Sequence, residues 1–292
     1  MARRPTSTVP ATRTITTEMT TYKTTTSEAS GHWYDRTGVQ VATVLSAEGK
    51  AIKPTLRQAR KLDLVPGVTT IIKEAHKEQL VMYRERQVLL ASLTLGRMAS
   101  ETDDDFIDRI MRDAKEAAFQ AADKGSQIHA RVEHGLHSRE SADEWVLAVR
   151  EQLSSLYDVD SMAWRCERPC VHPYGYGTKS DLSLDVTQTD LGSGDTRRIQ
   201  WVVDMKTKDG NLDNVTQLYM EHAQQLAATA HALDMPDAHG AILYVSRTEP
   251  TAKLVVATPE EMEHGWATFR ALLNYWQLKN KYAPSWAKHI YN

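Results

Sequence analysis

The spacing of apolar residues predicts helices in the first half of the chain and strands at the start of the second half. After a short strand pair at residues 39–44 and 51–53, apolar residues recur every three to four positions, as in amphipathic helices. The predicted helices span residues 55–61, 71–98, 103–122, 127–137 and 141–157. We expect Lys124-Gly125-Ser126 to break the chain between the third and the fourth helix, because glycine weakens a helix.

Beyond residue 160 the apolar period changes from 3.6 to 2, which is the period of strands. The alternation predicts strands at residues 162–171, 177–187 and 199–206, then a helix at 214–233 and strands at 241–246 and 254–257. A last helix starts at Thr258, where Pro259 and Glu261 favour a helix N-terminus. The order βββαβ with helices around it predicts a mixed α/β (α+β) fold with a central sheet flanked by helices.

Composition separates a tail from a single folded domain. Residues 1–30 contain eleven threonines and three serines, and such a segment has too little apolar surface to offset its conformational entropy. We therefore predict a flexible tail over residues 1–30 and one domain over 31–292. Within that domain, residues 31–157 supply a hairpin and helices, and residues 158–292 supply the βββαβ core and the C-terminal helix.

Charge and cysteine content exclude several classes of function. The 35 basic and 38 acidic side chains leave a net charge of −3, so a nucleic-acid site has to be a local patch. Two cysteines, Cys166 and Cys170, are too few for a disulfide framework, a four-thiolate zinc site or an iron–sulfur cluster. The chain has no apolar stretch of about 18 residues and no signal peptide, so we expect a cytoplasmic protein without a membrane partner.

Two short stretches on consecutive predicted strands carry the candidate chemistry. Asp204 and Lys206 project from the same face of one strand, and Asp181 lies on the strand before it. Carboxylates are ligands that Mg²⁺ and Mn²⁺ prefer, and metal-dependent cleavage of phosphodiesters uses such clusters. Asp185 lies on the same strand face as Asp181 and is a competing ligand.

Several pieces of the chain, taken in order, resemble the PD-(D/E)xK nuclease superfamily. The similarity is to its RecB-like branch, which includes the lambda-type phage exonucleases and the mitochondrial genome maintenance exonuclease, and it covers residues 32–290. The matching pieces are residues 66–72, 124–129, 177–181, 204–206 and 222–228, together with Glu167. The resemblance implies a restriction-endonuclease-like mixed sheet flanked by helices, with an N-terminal helical region that arches over the active site.

The resemblance also implies roles for individual residues. Asp181, Asp204 and the Met205 carbonyl would bind Mg²⁺ or Mn²⁺, and His129 would approach the metal. Lys206 would act beside the attacking water, Gln225 would orient Lys206, and Glu167 is an additional residue of the same pocket. Thr229 departs from the family pattern, in which an aromatic residue follows the glutamine at this spacing.

For several of these residues the sequence also allows a second interpretation. His129 could be a core or surface histidine, and Glu167 could be an exposed strand residue. His129, Glu133 and His137 have a helical spacing that suits zinc. Tyr83 and Trp33 could stack on bases or pack in the core.

The function implied is a Mg²⁺-dependent DNA exonuclease of the phage type. It would support recombination, repair or replication in a bacterial or phage-infected cell, with DNA and a single-strand annealing or recombination protein as partners. Two alternatives remain open at this point. One is a catalytically inactive module of the nuclease fold that binds DNA or protein, and the other is an endonuclease of the same fold.

Overall fold

The computed structural model describes residues 14–17, 20–24, 33–75, 78–138, 140–156, 163–189 and 194–290. These residues form a mixed α/β structure with eleven strands and seven helices. The strands are β1 (Thr14–Thr17), β2 (Thr20–Thr24), β3 (Trp33–Tyr34), β4 (Val41–Leu45), β5 (Ala51–Ile52), β6 (Val65–Pro66), β7 (Arg165–His172), β8 (Tyr176–Thr189), β9 (Thr196–Lys208), β10 (His239–Ser246) and β11 (Ala252–Val256). The helices are α1 (Leu56–Leu62), α2 (Val68–Ile72), α3 (Glu78–Thr94), α4 (Asp103–Leu136), α5 (Glu144–Leu156), α6 (Met220–Ala232) and α7 (Pro259–Asn280).

The main sheet has five strands in the order β11-β10-β9-β8-β7. Strands β7, β8 and β9 form an antiparallel meander, and β10 lies parallel to β9. The chain crosses from β9 to β10 through α6, as the parallel pairing of two strands requires. Strand β11 then returns antiparallel to β10. The predicted mixed α/β class with a central sheet is therefore confirmed.

Helices cover both faces of this sheet, and the alternation of side chains along β9 decides which residues meet them. Val203 packs with Ile128 and Val132 of α4 on one face. Val202, its neighbour, packs with Leu226 of α6 and Ile242 of β10 on the other face. Asp204 follows the alternation onto the α6 face, so the two layers of helices reach the candidate site from opposite sides.

A third apolar cluster joins the N-terminal elements to the last helix. Trp33, Ile71 and Phe269 are buried together, and Trp33 lies edge-on to Trp276 with 6.1 Å between the ring centroids. The Tyr282 hydroxyl donates to the Leu64 carbonyl just after α1, at 2.6 Å, and also lies 3.1 Å from the Ala59 carbonyl inside that helix. Trp33 is therefore a core residue and not a surface for base stacking.

The predicted break at residues 124–126 is wrong, because α4 runs through it as one helix of 34 residues. Gly125 remains helical and lies against β9, where a Cβ atom would be 2.7 Å from Oγ1 of Thr207. The glycine therefore allows a close approach of helix and strand and does not end the helix. The Ser126 hydroxyl donates to the Ala122 carbonyl inside the helix, at 3.1 Å.

Other boundaries also differ from the predicted ones. The helix predicted over residues 71–98 is divided into α2 and α3, and α6 begins at Met220, six residues later than predicted. Helix α3 packs on α4, and the pair exposes apolar side chains such as Met82, Leu93 and Phe119. Tyr83 is also 53% exposed. No helix in the described ranges combines the length and the apolar character that a membrane span requires.

Part of the predicted flexible tail forms strands. Residues 14–17 and 20–24 pair as an antiparallel hairpin, and β2 pairs with β4. Threonine is branched at Cβ and favours strands, so the composition that argues against a core still allows a sheet edge. The rest of the predicted tail lies outside the described residues.

Candidate active site

Asp181 and Asp204 lie where two neighbouring strands stop pairing. The backbone register of β8 and β9 runs from Thr189–Thr196 to Leu182–Val203, and Asp181 and Asp204 are the next residues along it. Oδ2 of Asp181 accepts a hydrogen bond of 2.7 Å from the Met205 backbone N–H. The carboxylate therefore takes the place of a strand carbonyl and is fixed between the two strands.

Asp204, Lys206 and Gln225 form a closed ring of contacts. The Lys206 ammonium lies 2.8 Å from Oδ2 of Asp204 and donates a hydrogen bond of 3.0 Å to Oε1 of Gln225. The Gln225 amide in turn donates to Oδ1 of Asp204 at 2.5 Å. Because Gln225 comes from α6 and the other two residues from β9, the ring fixes the ammonium relative to both elements.

Burial sets the charge states of this group. Burial, with a further contribution from the Asp204 carboxylate, raises the pKa of Asp181 to about 6. Burial opposes the charged form of Lys206, but the adjacent Asp204 carboxylate outweighs it and keeps the pKa of that ammonium above its ordinary value. At neutral pH Lys206 is therefore charged, and the ionised form of Asp181 is destabilised unless a cation lies close to it.

A second group of ligands meets Asp181 from the other side. One ligand atom each from His129, Glu167 and Asp181 lies within 4.8 Å of the others. His129 lies one turn after Gly125 on α4, and Glu167 lies opposite Asp181 on β7, between the pairs Cys166–Leu182 and Arg168–Ser180. Glu167 also forms an ion pair with Lys179.

These residues line one open cavity with a volume of about 820 Å³. Helices α4 and α6 and strands β7, β8 and β9 all contribute to its wall. Glu133, Lys179 and Arg247 line it as well. The Arg247 guanidinium donates two hydrogen bonds of 2.8 Å to Asp209. The lysines Lys179 and Lys206, in contrast, pair with carboxylates of the cavity itself.

The donor set fits a divalent cation of the Mg²⁺ or Mn²⁺ type. It consists of carboxylate oxygens, the Met205 carbonyl and one imidazole nitrogen, and hard oxygen ligands suit these ions. Oδ2 of Asp204 is buried and accepts no hydrogen bond from any described residue, although it has the ion contact with Lys206. A carboxylate oxygen has more than one lone pair, so Oδ2 of Asp204 can bind a metal ion beside the ammonium.

The structure brings together all the residues that the resemblance implicates. The cavity is lined by Asp181, Asp204, Met205, Lys206, Gln225, His129 and Glu167. His129 and Glu167 are both partly buried on the cavity wall, which favours a shared site over a core histidine and an exposed strand glutamate. Of the three residues with a spacing that suits zinc, only His129 belongs to the ligand group found among the described residues. Nδ1 of His137 lies 2.8 Å from the Glu133 carbonyl of its own helix.

Asp185 is not a competing ligand. Its carboxylate forms two hydrogen bonds with the Arg198 guanidinium on β9, at 2.8 and 2.7 Å. That arginine lowers the pKa of Asp185, which is the opposite of the shift at Asp181. The alternation along β8 cannot distinguish the two carboxylates, because the difference lies in their cross-strand neighbours.

Thr229 and Lys179 are the two points where the sequence is least informative. Thr229 is buried, and its hydroxyl lies 3.5 Å from that of Thr178 on β8, so this position contacts the sheet and not the cavity. Lys179 lines the cavity and is not among the site residues predicted from the sequence. The signal that could have found it is the period of 2, which places Lys179 on the same strand face as Asp181.

Comparison with known proteins adds little to the geometry. No protein family and no curated protein matches the chain. Among solved structures, the crystal structure of SSO0001 aligns with 72% of this chain and 90% of its own, at 11% sequence identity and a TM-score of 0.27. A TM-score this low does not indicate a shared fold.

Proposed function

We propose that this chain is a metal-dependent phosphodiesterase that acts on DNA, with the restriction-endonuclease-like fold of the PD-(D/E)xK nucleases. The observation that carries the proposal is the pairing of two groups in one cavity. The first is the ring of Asp204, Lys206 and Gln225, and the second is the ligand group around Asp181. Carboxylates next to a fixed ammonium suit the cleavage of a phosphodiester.

In this proposal each residue has a task that follows from its contacts. Asp181, Asp204, the Met205 carbonyl, His129 and Glu167 would hold Mg²⁺ or Mn²⁺, which when bound lowers the pKa of water and neutralises phosphate charge. The Lys206 ammonium orients the attacking water and stabilises the negative charge that develops on the phosphate oxygens. Gln225 holds Lys206 in place through its hydrogen bond of 3.0 Å.

Exonuclease action of the phage type is the form of this activity that we propose, on the basis of the sequence resemblance. Its partners would be a DNA end and a single-strand annealing or recombination protein. An endonuclease would have the same ligands and the same lysine. A catalytically inactive module would need to have lost metal binding, and the complete ring around Lys206 argues against such a loss.

The test is digestion of end-labelled single- and double-stranded oligonucleotides by the purified chain, with Mg²⁺ or with EDTA. We expect cleavage in Mg²⁺ and none in EDTA, and a loss of about 100-fold or more in Asp204→Asn, which removes a charged metal ligand, and in Lys206→Gln, which removes a charge that stabilises the transition state. Asp185→Asn is the matched control, because it changes a carboxylate on the neighbouring strand β8 that pairs with Arg198. Wild-type cleavage rates in Asp204→Asn would refute the assignment.

Circular substrates distinguish the alternatives. An exonuclease leaves circular single-stranded DNA and intact plasmid uncut, whereas an endonuclease nicks them. An inactive module would show no cleavage of any substrate, and a calorimetric titration with Mn²⁺ would show no binding to the wild-type chain.

A further inference from the structure

Lys179 is a second lysine at the candidate site, and it lines the same cavity as Lys206. The residue pairs of β8 and β9 have Leu182 opposite Val203. Pairing ends there, and beyond it Lys179 and Asp181 alternate along β8 as Lys206 and Asp204 do along β9. Both lysines line the cavity, with 22% and 33% of their side-chain surfaces exposed. Two carboxylates are therefore followed, in the same direction, by two ammonium groups.

The two lysines differ in their partners. Lys206 is held by Asp204 and Gln225, within the ring described above. Lys179 is held by Glu167, which is also a member of the ligand group with His129 and Asp181. A carboxylate that binds a divalent cation loses most of its attraction for an ammonium, and the cation itself repels that ammonium. Glu167 therefore cannot serve Lys179 and a metal equally well.

The backbone fixes Glu167 in its position on the cavity wall. Its φ angle is 52°, in the left-handed region that glutamate rarely adopts, and paired residues on either side of it hold the strand. Such a conformation persists only where the surroundings enforce it, and it is common at functional sites. Glu167 is thus held opposite Asp181, while the longer Lys179 side chain is free to turn at its own rotatable bonds.

We propose that Lys179 exchanges partners: it pairs with Glu167 in the metal-free chain, and it binds a backbone phosphate of the nucleic acid once Glu167 binds a divalent cation. This inference rests on the proposed function and assigns Lys179 as a substrate-binding residue. Without a cation, the carboxylates of Glu133, Asp181 and Asp204 repel a polyanion from the cavity. Cation binding neutralises them and releases an ammonium in the same step, so the metal and the nucleic acid bind cooperatively.

The test measures two binding equilibria in Lys179→Gln, with Lys208→Gln as the control. Lys208 is an exposed lysine at the end of β9, so its substitution makes the same change in net charge outside the cavity. Calorimetric titration gives the Mn²⁺ affinity. Fluorescence anisotropy of a labelled single-stranded oligonucleotide, in Ca²⁺ and in EDTA over a range of salt concentrations, gives the DNA affinity, and a gel verifies that the probe stays intact.

We expect opposite shifts of the two affinities in Lys179→Gln. Mn²⁺ should bind about threefold or more tightly, because Glu167 no longer has a competing cation. The oligonucleotide should bind about tenfold more weakly in Ca²⁺, since a charged hydrogen bond to phosphate is lost. The slope of log affinity against log salt should fall by about 0.7, the value for one phosphate contact of a single strand. In EDTA, where Lys179 pairs with Glu167 and contacts no phosphate, the loss of oligonucleotide affinity should be smaller than in Ca²⁺.

Glu167→Gln provides the reciprocal experiment. It releases Lys179 without a metal, so we expect tighter oligonucleotide binding in EDTA and weaker Mn²⁺ binding. The exchange is refuted if Lys179→Gln weakens both affinities together or behaves like Lys208→Gln. A wild-type chain that cleaves no DNA in Mg²⁺ would refute the proposed function instead, and the two binding measurements would still decide whether Lys179 exchanges partners.

Discussion

At the scale of the residue, two aspartates four residues apart on β8 show that neighbouring side chains determine the pKa of a carboxylate. Burial raises the pKa of Asp181, and the hydrogen bonds from Arg198 lower that of Asp185. Both lie on the strand face that alternation predicts, so the sequence proposes Asp181 as a site residue but cannot reject Asp185. The choice depends on which side chain of β9 lies across the ladder, and that is fixed only when the strands pair.

Asp181→Asn should stabilise the metal-free chain at pH 7.5 by about 1–2 kcal/mol, because a buried charge is removed. Asparagine retains an oxygen that can accept the Met205 N–H. The folded pKa of Asp181 is about 6, against an ordinary 3.8, so ionisation destabilises the fold above about pH 6. The gain should therefore shrink as the pH falls from about 6 to 4. Urea unfolding in EDTA measures it.

Asp185→Asn is the control for this measurement, because it breaks an exposed ion pair and should change the stability by less than about 1 kcal/mol. A loss of stability in Asp181→Asn at pH 7.5 would contradict the assignment of Asp181 as an uncompensated buried carboxylate. The same variant should lose the stabilisation that Mn²⁺ gives to the wild-type chain.

At the scale of the element, the sequence predicts features that depend on neighbouring residues, and it fails where a glycine contacts a distant part of the chain. The strands and the last helix follow from alternation and from the cap at Thr258, whose hydroxyl accepts from the Glu261 N–H at 3.1 Å. Local signals of this kind lie within a few residues and can be read from sequence. Gly125 predicts a helix break when only its neighbours in sequence are considered. Its actual role depends on the contact with Thr207, which is distant in the chain.

Gly265 on α7 permits a similar contact, and its substitution should be costly. A Cβ atom at this position would lie 2.5 Å from the backbone carbonyl of Ala223 on α6. Backbone cannot turn away as a side chain can, so we expect Gly265→Ala to separate the two helices and to destabilise the fold by about 1–3 kcal/mol. Urea unfolding measures this change.

Gly265→Ala should also reduce DNA cleavage, because Ala223 lies two residues before Gln225 on the same helix. Gly96→Ala is the matched control, since a Cβ atom there meets nothing within 4 Å. Equal stability of the two variants would show that α6 and α7 can move apart without cost.

At the scale of the whole molecule, two partly buried histidines lie where the sheet meets α7 and α6, the helix that carries Gln225. His231 of α6 stacks on Trp266 of α7 with 3.7 Å between the rings, and His172 at the end of β7 stacks on Tyr176 at 4.9 Å. Burial lowers the pKa of both histidines to about 4, with a smaller contribution from their mutual repulsion at His172. The folded chain therefore holds both rings neutral.

This arrangement predicts a loss of stability in acid. Unfolded histidines titrate near 6.5, so the unfolded chain binds protons that the folded chain excludes. The stability contributed by the neutral rings is complete above about pH 6.5 and is lost as the pH falls toward about 4. Protonation of Asp181 in the same pH range stabilises the fold, which is the opposite effect. Thermal unfolding of His231→Gln is therefore compared with that of the wild-type chain at each pH.

The histidine variant should flatten the dependence of the melting temperature on pH between about 6.5 and 4. Lys253→Gln serves as a control, because its ammonium contacts the Asp213 carbonyl at an exposed position. If His231→Gln and the wild-type chain lose stability in parallel, the histidine does not stay neutral in the fold.

Helix α4 has a mechanical consequence for the site. Its 34 residues form a rod about 50 Å long, with exposed acidic residues in its first turn and His129 near its other end. Because the rod continues through Gly125, it has no hinge between the tip and the imidazole. A force on the part of α4 that packs with α3 would therefore be transmitted along the helix. It would displace His129 relative to Asp181 and Glu167, which belong to the sheet.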